Sequence, residues 1–153
     1  TFGTSTMSSF KVFDFNIDED QNSIKVSARH DAYKNNFNYI HERKIEINKK
    51  NGNLLGDDNL ISENMGKKST DVYNIRFHLT PICSGLLTNN KKSILIKTSR
   101  GQSWIFTSEN SISLEDSIYI ANGRKIEQTK QIVISNYSDS SKRREKWSIK
   151  KVN

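Results

Sequence analysis

The feature that most constrains the fold of this chain is a series of short runs in which apolar and polar residues alternate. Each run ends at a turn signal. An alternation with a period of two is typical of strands that bury one face. In residues 23–30, for example, Ile24, Val26 and Ala28 fall on one face. Helical periodicity is hard to find along the 153 residues, so the pattern predicts an all-β chain.

The other predicted strands follow at regular spacing. They are residues 9–17, 39–48, 54–61, 72–80, 84–88, 93–98, 103–107, 111–120, 130–135 and 145–152. Asn51-Gly52 supplies the positive φ that a tight hairpin turn requires. Turn or loop signals at 66–70, 122–123 and 138–141 separate later strands. No linker composition divides the chain. The sequence therefore predicts a single antiparallel β-sandwich domain over residues 1–153.

Composition limits the class of protein further. Only 33% of the residues are hydrophobic, but Phe, Tyr and Trp are spread from end to end, which indicates a folded chain with a thin core. No apolar run approaches the roughly 20 residues that cross a bilayer, so we predict no membrane span. The single cysteine, Cys83, excludes an internal disulfide framework and a Cys-rich zinc site.

The net charge of +7 raises the question of an anionic partner. Acidic residues are interspersed through most of the chain, however, so a solvated surface also explains the charge. The basic stretch at 142–151 contains an aromatic residue, as nucleic-acid-binding segments do. In a strand, Trp147 and Ile149 would face inward while Lys146 and Lys150 face water. We interpret this stretch as a solvated edge strand and predict no nucleic-acid partner.

The side chains that could carry chemistry form no recognisable catalytic motif. The histidines are His30, His41 and His78, and none has the helical or cysteine-containing spacing of a zinc site. Asp31 and Glu42 each follow a histidine, but neighbours along a strand point to opposite faces. There is no Gly-x-Ser-x-Gly elbow and no phosphate-binding glycine loop. We predict no catalytic residue, no metal ligand and no cofactor in this chain.

An ordered set of short motifs covers residues 26–152. The first two are SARHDAY at 27–33 and IHERKIEI at 40–47. They are followed by LLGDDNL (54–60), IRFHLTP (75–81), GQSWIF (101–106), LEDSIY (114–119), QIVIS (131–135) and KWSI (146–149). In order, the set resembles the C-terminal β domain of the heparinase II/III-like polysaccharide lyase family. Ala32 departs from a glycine that is usual there, which puts the positive φ of that turn in question. Thr80 replaces a second histidine of many relatives.

The resemblance implies a bacterial enzyme of the periplasm or cell envelope that cleaves uronate-containing acidic polysaccharide by β-elimination. In the family, the main catalytic residues lie in an α/α toroid domain that precedes the β domain. The resemblance therefore implies that this chain is a C-terminal fragment of a longer polypeptide and is inactive alone. Its implied partners are the acidic polysaccharide and the toroid of the same polypeptide. A divalent metal, zinc, is implied only for the full-length enzyme.

Two residues are candidates for substrate binding. His30 and Tyr33 are expected to face the cleft, because a loop that carries a ring and a proton carrier suits contact with a sugar. Alternatively, both stabilise their own turn. Arg43 and Arg76 either neutralise uronates or pair with strand neighbours. The alternative function, from a different class, is a noncatalytic carbohydrate-binding β-sandwich module.

Overall fold

The computed structural model describes residues 9–62, 72–121, 125–137 and 143–152. Within these ranges the chain forms eleven strands and one single-turn helix, α1 (Lys34–Phe37). The strands are β1 (Val12–Glu19), β2 (Ser23–His30), β3 (Tyr39–Asn48), β4 (Leu54–Ser62), β5 (Val72–His78), β6 (Cys83–Leu87), β7 (Ser93–Thr98), β8 (Ser103–Ser108), β9 (Ile112–Ala121), β10 (Lys125–Tyr137) and β11 (Arg144–Val152). No helix of the described ranges is long and apolar enough to cross a membrane.

The described strands form two antiparallel sheets. The larger sheet has eight strands in the order β1-β2-β3-β4-β11-β8-β7-β6, and the smaller has three in the order β5-β10-β9. Nine buried side chains of the described ranges form one hydrophobic cluster: Ile75, Leu79, Ile94, Ile96, Phe106, Ile112, Ile132, Ile134 and Trp147. The predicted all-β sandwich is confirmed.

The smaller sheet covers only part of the larger one. Core residues of the larger sheet come from β7, β8 and β11, where Ile94 and Phe106 have no exposed surface. On the far side, Val12 and Ile17 of β1 are more than half exposed. The inner face of β2, β3 and β4 lies between these regions, and the candidate site is built there.

Most strand predictions are confirmed, and β2, β3 and β7 begin and end where predicted. Gly52 has a φ of 70°, as the predicted hairpin turn requires. β10 begins earlier than predicted, because residues 125–129 pair with residues 117–121 of β9. The sequence pattern missed α1, which has only one turn. The predicted turns at 66–70, 122–123 and 138–141 lie outside the described residues.

The prediction that the basic stretch forms an edge strand is wrong. β11 lies inside the larger sheet, and Trp147 pairs with Gly56 of β4 on one side and Ser108 of β8 on the other. Trp147 faces inward and Lys146 outward, as predicted. Alternation reports which face of a strand is buried, but it carries no information about how many neighbours the strand has.

Candidate functional site

A cavity of about 550 Å³ lies beside β5, which is an edge strand of the smaller sheet, and the inner face of β3 and β4. Aromatic and basic side chains dominate its described lining, including Tyr33, Tyr39, Tyr73, Arg43, Arg76 and Arg143. Tyr33 and Phe37 are 45% and 55% exposed. Rings that remain accessible beside several guanidinium groups favour a polar, ring-shaped ligand with negative charge.

Strand register brings the polar residues of the cavity together. β2 and β3 pair so that His30 lies directly opposite His41. The β3–β4 hairpin, closed by the Asn51-Gly52 turn, places Asp58 directly opposite Arg43. Because side chains alternate along a strand, all four point to the same inner face.

His30, His41 and Asp58 form a chain of hydrogen bonds. The backbone N–H of Ala32 donates to Nδ1 of His30 (3.3 Å), so the proton of that neutral ring lies on Nε2. His30 Nε2 then donates to His41 Nδ1 (2.9 Å), and His41 Nε2 donates to Asp58 Oδ1 (2.7 Å). Every ring nitrogen has a partner only when both imidazoles are neutral.

Asp58 is the buried end of this chain. Its carboxylate is only 3% exposed and also accepts hydrogen bonds from Arg43 Nε (2.6 Å), Arg43 Nη2 (3.1 Å) and Trp147 Nε1 (2.8 Å). Burial alone would raise the pKa of Asp58, but the hydrogen bonds from His41 and Arg43 outweigh it and hold the pKa below its usual value. Asp58 therefore remains a carboxylate that links β3, β4 and β11.

The family model of the heparinase II/III-like C-terminal domain matches residues 5–148. The chain belongs to the heparinase II/III-like family. No match is found among curated proteins.

Solved structures of heparinases share this fold. The crystal structure of the heparan sulfate lyase HepC from Pedobacter heparinus superposes with a TM-score of 0.78 at 14% identity. It is matched over 94% of this chain and 22% of that chain. A heparinase III, the BT4657 gene product, gives a TM-score of 0.74 at 12% identity, over 93% of this chain and 22% of that chain. This heparinase-like domain thus spans about a fifth of the length of these relatives.

Both predicted substrate-binding residues of this heparinase-like domain line the cavity. Both nitrogens of His30 are occupied by Ala32 and His41, and the His30 ring packs against Tyr33, with centroids 5.3 Å apart. Ala32 adopts no positive φ, so this turn forms without the family's usual glycine. His30 thus stabilises its own turn, and Tyr33 presents the more accessible ring. Substrate contact by either residue remains a prediction.

The two predicted arginines both form ion pairs. Arg43 pairs with Asp58 on the neighbouring strand, and its guanidinium lies 5.7 Å from the ring of Phe77. Arg76 pairs with Glu115 at 3.1 Å. For Arg43, pairing with a strand neighbour is therefore the observed arrangement. Asp58 and Arg143 are not among the residues predicted from the sequence, although the register of the β3–β4 hairpin could have indicated that Asp58 faces Arg43.

The cluster formed by His30, His41 and Asp58 does not have the geometry of a zinc site. His41 turns one ring nitrogen to His30 (2.9 Å) and the other to Asp58 (2.7 Å), so the three side chains lie in a row, whereas the ligands of a zinc ion converge on one point. In the part of the chain that the structure describes, no group of three or more His, Cys, Asp or Glu residues could hold a metal ion.

The pKa of His30 lies below its ordinary value of 6.5, chiefly because of burial. A positive charge on His41 would lower this pKa further, the charge of Arg43 also lowers it, and Asp31 raises it. A histidine whose pKa is lower in the folded state gains protons on unfolding. His30 thus contributes stability that is present above pH 6.5 and is lost as the pH falls towards its folded-state pKa.

We expect the free energy of unfolding to decrease as the pH is lowered from 7 through 6.5, and His30→Gln to flatten this slope. The pKa of Asp58 is lowered from 3.8, so its contribution is lost only at more acidic pH. Denaturant unfolding at a series of pH values measures the slope. His78→Gln is the matched control, because His78 is exposed and bonds to Ser117 outside the cavity. If the His30→Gln variant shows the same slope as the wild type, His30 is not the cause of the pH dependence.

Proposed function

We propose that this chain is the C-terminal β-sandwich domain of a polysaccharide lyase that cleaves uronate-containing acidic polysaccharide by β-elimination. The observation that carries the proposal is a cavity with exposed aromatic rings and arginines in a member of this family. Aromatic rings stack on sugar rings, and guanidinium groups pair with carboxylates and sulfates. We propose that this cavity forms one wall of the substrate cleft, with Tyr33 and His30 on its surface.

The proposed reaction requires a base, an acid and a group that neutralises the uronate carboxylate, and the described residues that line the cavity do not supply all three. In β-elimination a base removes the C5 proton, the electron pair forms the C4–C5 double bond, and the C4–O bond breaks as the leaving oxygen is protonated. The charge that develops on the uronate carboxylate must be neutralised. In this domain both nitrogens of His30 are occupied and Arg43 is held by Asp58. We therefore propose that the main catalytic residues lie upstream, in an α/α toroid domain of the same polypeptide.

The remaining parts of the proposal concern the whole protein. Its partners are the acidic polysaccharide and the preceding toroid. Its location is the periplasm or cell envelope of a bacterium, as for a secreted polysaccharide-degrading enzyme. Any zinc ion of the whole protein is held by residues other than His30, His41 and Asp58, whose described arrangement does not converge on one point.

The test is an assay of the gene product that contains this chain on uronate polymers, followed by the absorbance of the unsaturated product. We expect turnover by the whole protein and none by the 153-residue chain alone. Tyr33→Ala in the whole protein is expected to raise KM about fivefold to tenfold, the loss of roughly 1–1.4 kcal/mol of ring contact.

Tyr119→Ala provides the matched control for this assay. Tyr119 is 40% exposed on β9 and does not line the cavity, so its loss should leave KM unchanged. The proposal is wrong if the whole protein releases no unsaturated product from any uronate polymer. It is also wrong if the 153-residue chain alone degrades one.

A noncatalytic carbohydrate-binding module is the second candidate. It is favoured by one observation: the rings at the cavity rim, Tyr33 and Phe37, belong to this chain and are accessible without any other domain. This candidate predicts that the chain alone binds a saccharide while the longer gene product shows no elimination activity.

A further inference from the structure

The three arginines that line the cavity differ in what they bind. Arg43 donates two hydrogen bonds to the carboxylate of Asp58. Arg76 pairs with Glu115. Arg143 makes no ion pair with any described residue, and its Nε is buried without a hydrogen-bond partner. Among the described lining residues, Arg143 is thus the arginine whose charge is not already matched.

The position of Arg143 is fixed by two contacts. Its backbone carbonyl accepts a hydrogen bond from the N–H of Leu60 in β4 (2.9 Å). Its guanidinium lies over the ring of Tyr39, 5.1 Å from the centroid, and Tyr39 is only 5% exposed. Stacking on an aromatic face leaves the edge of a guanidinium group free to donate in its own plane. The side chain is therefore held in place while it still has donors to offer.

An anion would complete this arrangement. An unpaired buried N–H costs about 1–3 kcal/mol, and guanidinium groups form charge-assisted bidentate hydrogen bonds with carboxylates, sulfates and phosphates. In the described lining, Asp58 is the only acidic residue, and its oxygens are occupied by His41, Arg43 and Trp147. The cavity thus carries an excess of positive charge beside accessible rings.

We propose that Arg143 is the residue that binds an anionic group of the saccharide, either a uronate carboxylate or a sulfate ester. This inference rests on the proposed function and deepens it, because it assigns recognition of the negative charge to one residue of the β domain. Tyr33 and Phe37 then contact the sugar ring, and Arg143, held over Tyr39, contacts the charged substituent. Arg43 has a different role, since Asp58 already neutralises it.

The test measures binding of three tetrasaccharides to the 153-residue chain by isothermal titration calorimetry: a sulfated uronate, an unsulfated uronate and a neutral glucan. We expect both acidic ligands, or the sulfated one alone, to bind at least tenfold more tightly than the glucan. Arg143→Gln should weaken acidic binding about tenfold or more, the usual effect of losing one charge-assisted hydrogen bond. If Arg143→Gln loses affinity for the sulfated ligand alone, Arg143 binds the sulfate. If it loses affinity equally for both acidic ligands, Arg143 binds the carboxylate.

Arg100→Gln is the matched control, because it removes the same charge from an exposed turn and should change affinity less than twofold. Arg143→Lys keeps the charge but lacks the planar fork, so we expect intermediate affinity. Amide chemical-shift changes on the wild-type chain give a second measurement that needs no variant. They should centre on Tyr39, Leu60 and Arg143.

The outcomes separate this inference from the proposed function. If the acidic ligands bind but Arg143→Gln binds them as tightly as the wild type, Arg143 is not the anion-binding residue, and the proposed function stands. The same conclusion follows if the glucan binds as tightly as the acidic ligands. If none of the three ligands binds, the saccharide-contacting role of the cavity fails together with this inference.

Discussion

Replacing Asp58 by asparagine is expected to lower the free energy of unfolding by about 3–5 kcal/mol, the usual cost of removing one partner of a buried ion pair. The carboxylate is 3% exposed and accepts hydrogen bonds from His41, Arg43 and Trp147. An asparagine amide has one accepting oxygen, and its NH₂ group would face donors. Arg43 would also lose the anion that neutralises it. Denaturant unfolding at neutral pH measures the change.

Asp57→Asn is the matched control for this substitution. Asp57 directly precedes Asp58 in β4, but its side chain faces the opposite side of the sheet, where it pairs with the exposed Arg144. Surface ion pairs contribute about 0–1 kcal/mol, so this variant should remain close to the wild type. Similar losses in both variants would show that Asp58 has no special role in the core.

Gly56→Ala is expected to destabilise the domain by about 3 kcal/mol or more, at the upper end of the range for overpacked cores. A methyl group at Gly56 would overlap the ring of Trp147, which lies directly across the strand pair. That ring cannot move aside easily. It packs edge-on against Phe77 (4.7 Å between centroids), stacks with Phe106 (6.0 Å) and is tied to Asp58 through Nε1.

Gly85→Ala tests whether this cost arises from the Trp147 ring. Gly85 also lies in a strand, but an added methyl group would meet the two terminal methyl groups of Leu114 at 3.1 Å, and that flexible side chain can shift. We expect a change below about 1 kcal/mol. In a double-mutant cycle, Gly56→Ala should cost much less when Trp147 is already leucine. An equal cost in both backgrounds would contradict the steric explanation.

The strands could be predicted because their pattern is local. Residues 23–30 and 39–48 show alternation that ends at polar turn residues, and the structure has strands with these bounds. The place of each strand in the sheets is not a local property. The alternation in β11 is the same as that of an edge strand, yet β11 pairs with β4 on one side and with β8 on the other. Only long-range pairing distinguishes these cases.

The same distinction between local pattern and long-range pairing applies to the candidate site, of which the sequence predicts only a part. His30 and Tyr33 were identified from a short motif, and both line the cavity. The hydrogen-bond chain to Asp58 depends on the registers of two strand pairs, which place residues from β2, β3 and β4 side by side. Arg143 lies in none of the short motifs that carry the resemblance to the family. Its role depends on its position over Tyr39, which the sequence pattern does not reveal.

The insertion of β11 between β4 and β8 has a consequence for synthesis on the ribosome. The strands β1–β4 and the strands β6–β8 are joined in one sheet only through β11. While the nascent polypeptide still lacks residues 144–152, β4 and β8 each present an open hydrogen-bonding edge. Such edges are templates for aggregation, so a premature stop codon before Arg144 would produce two half-sheets that are prone to pair with other chains.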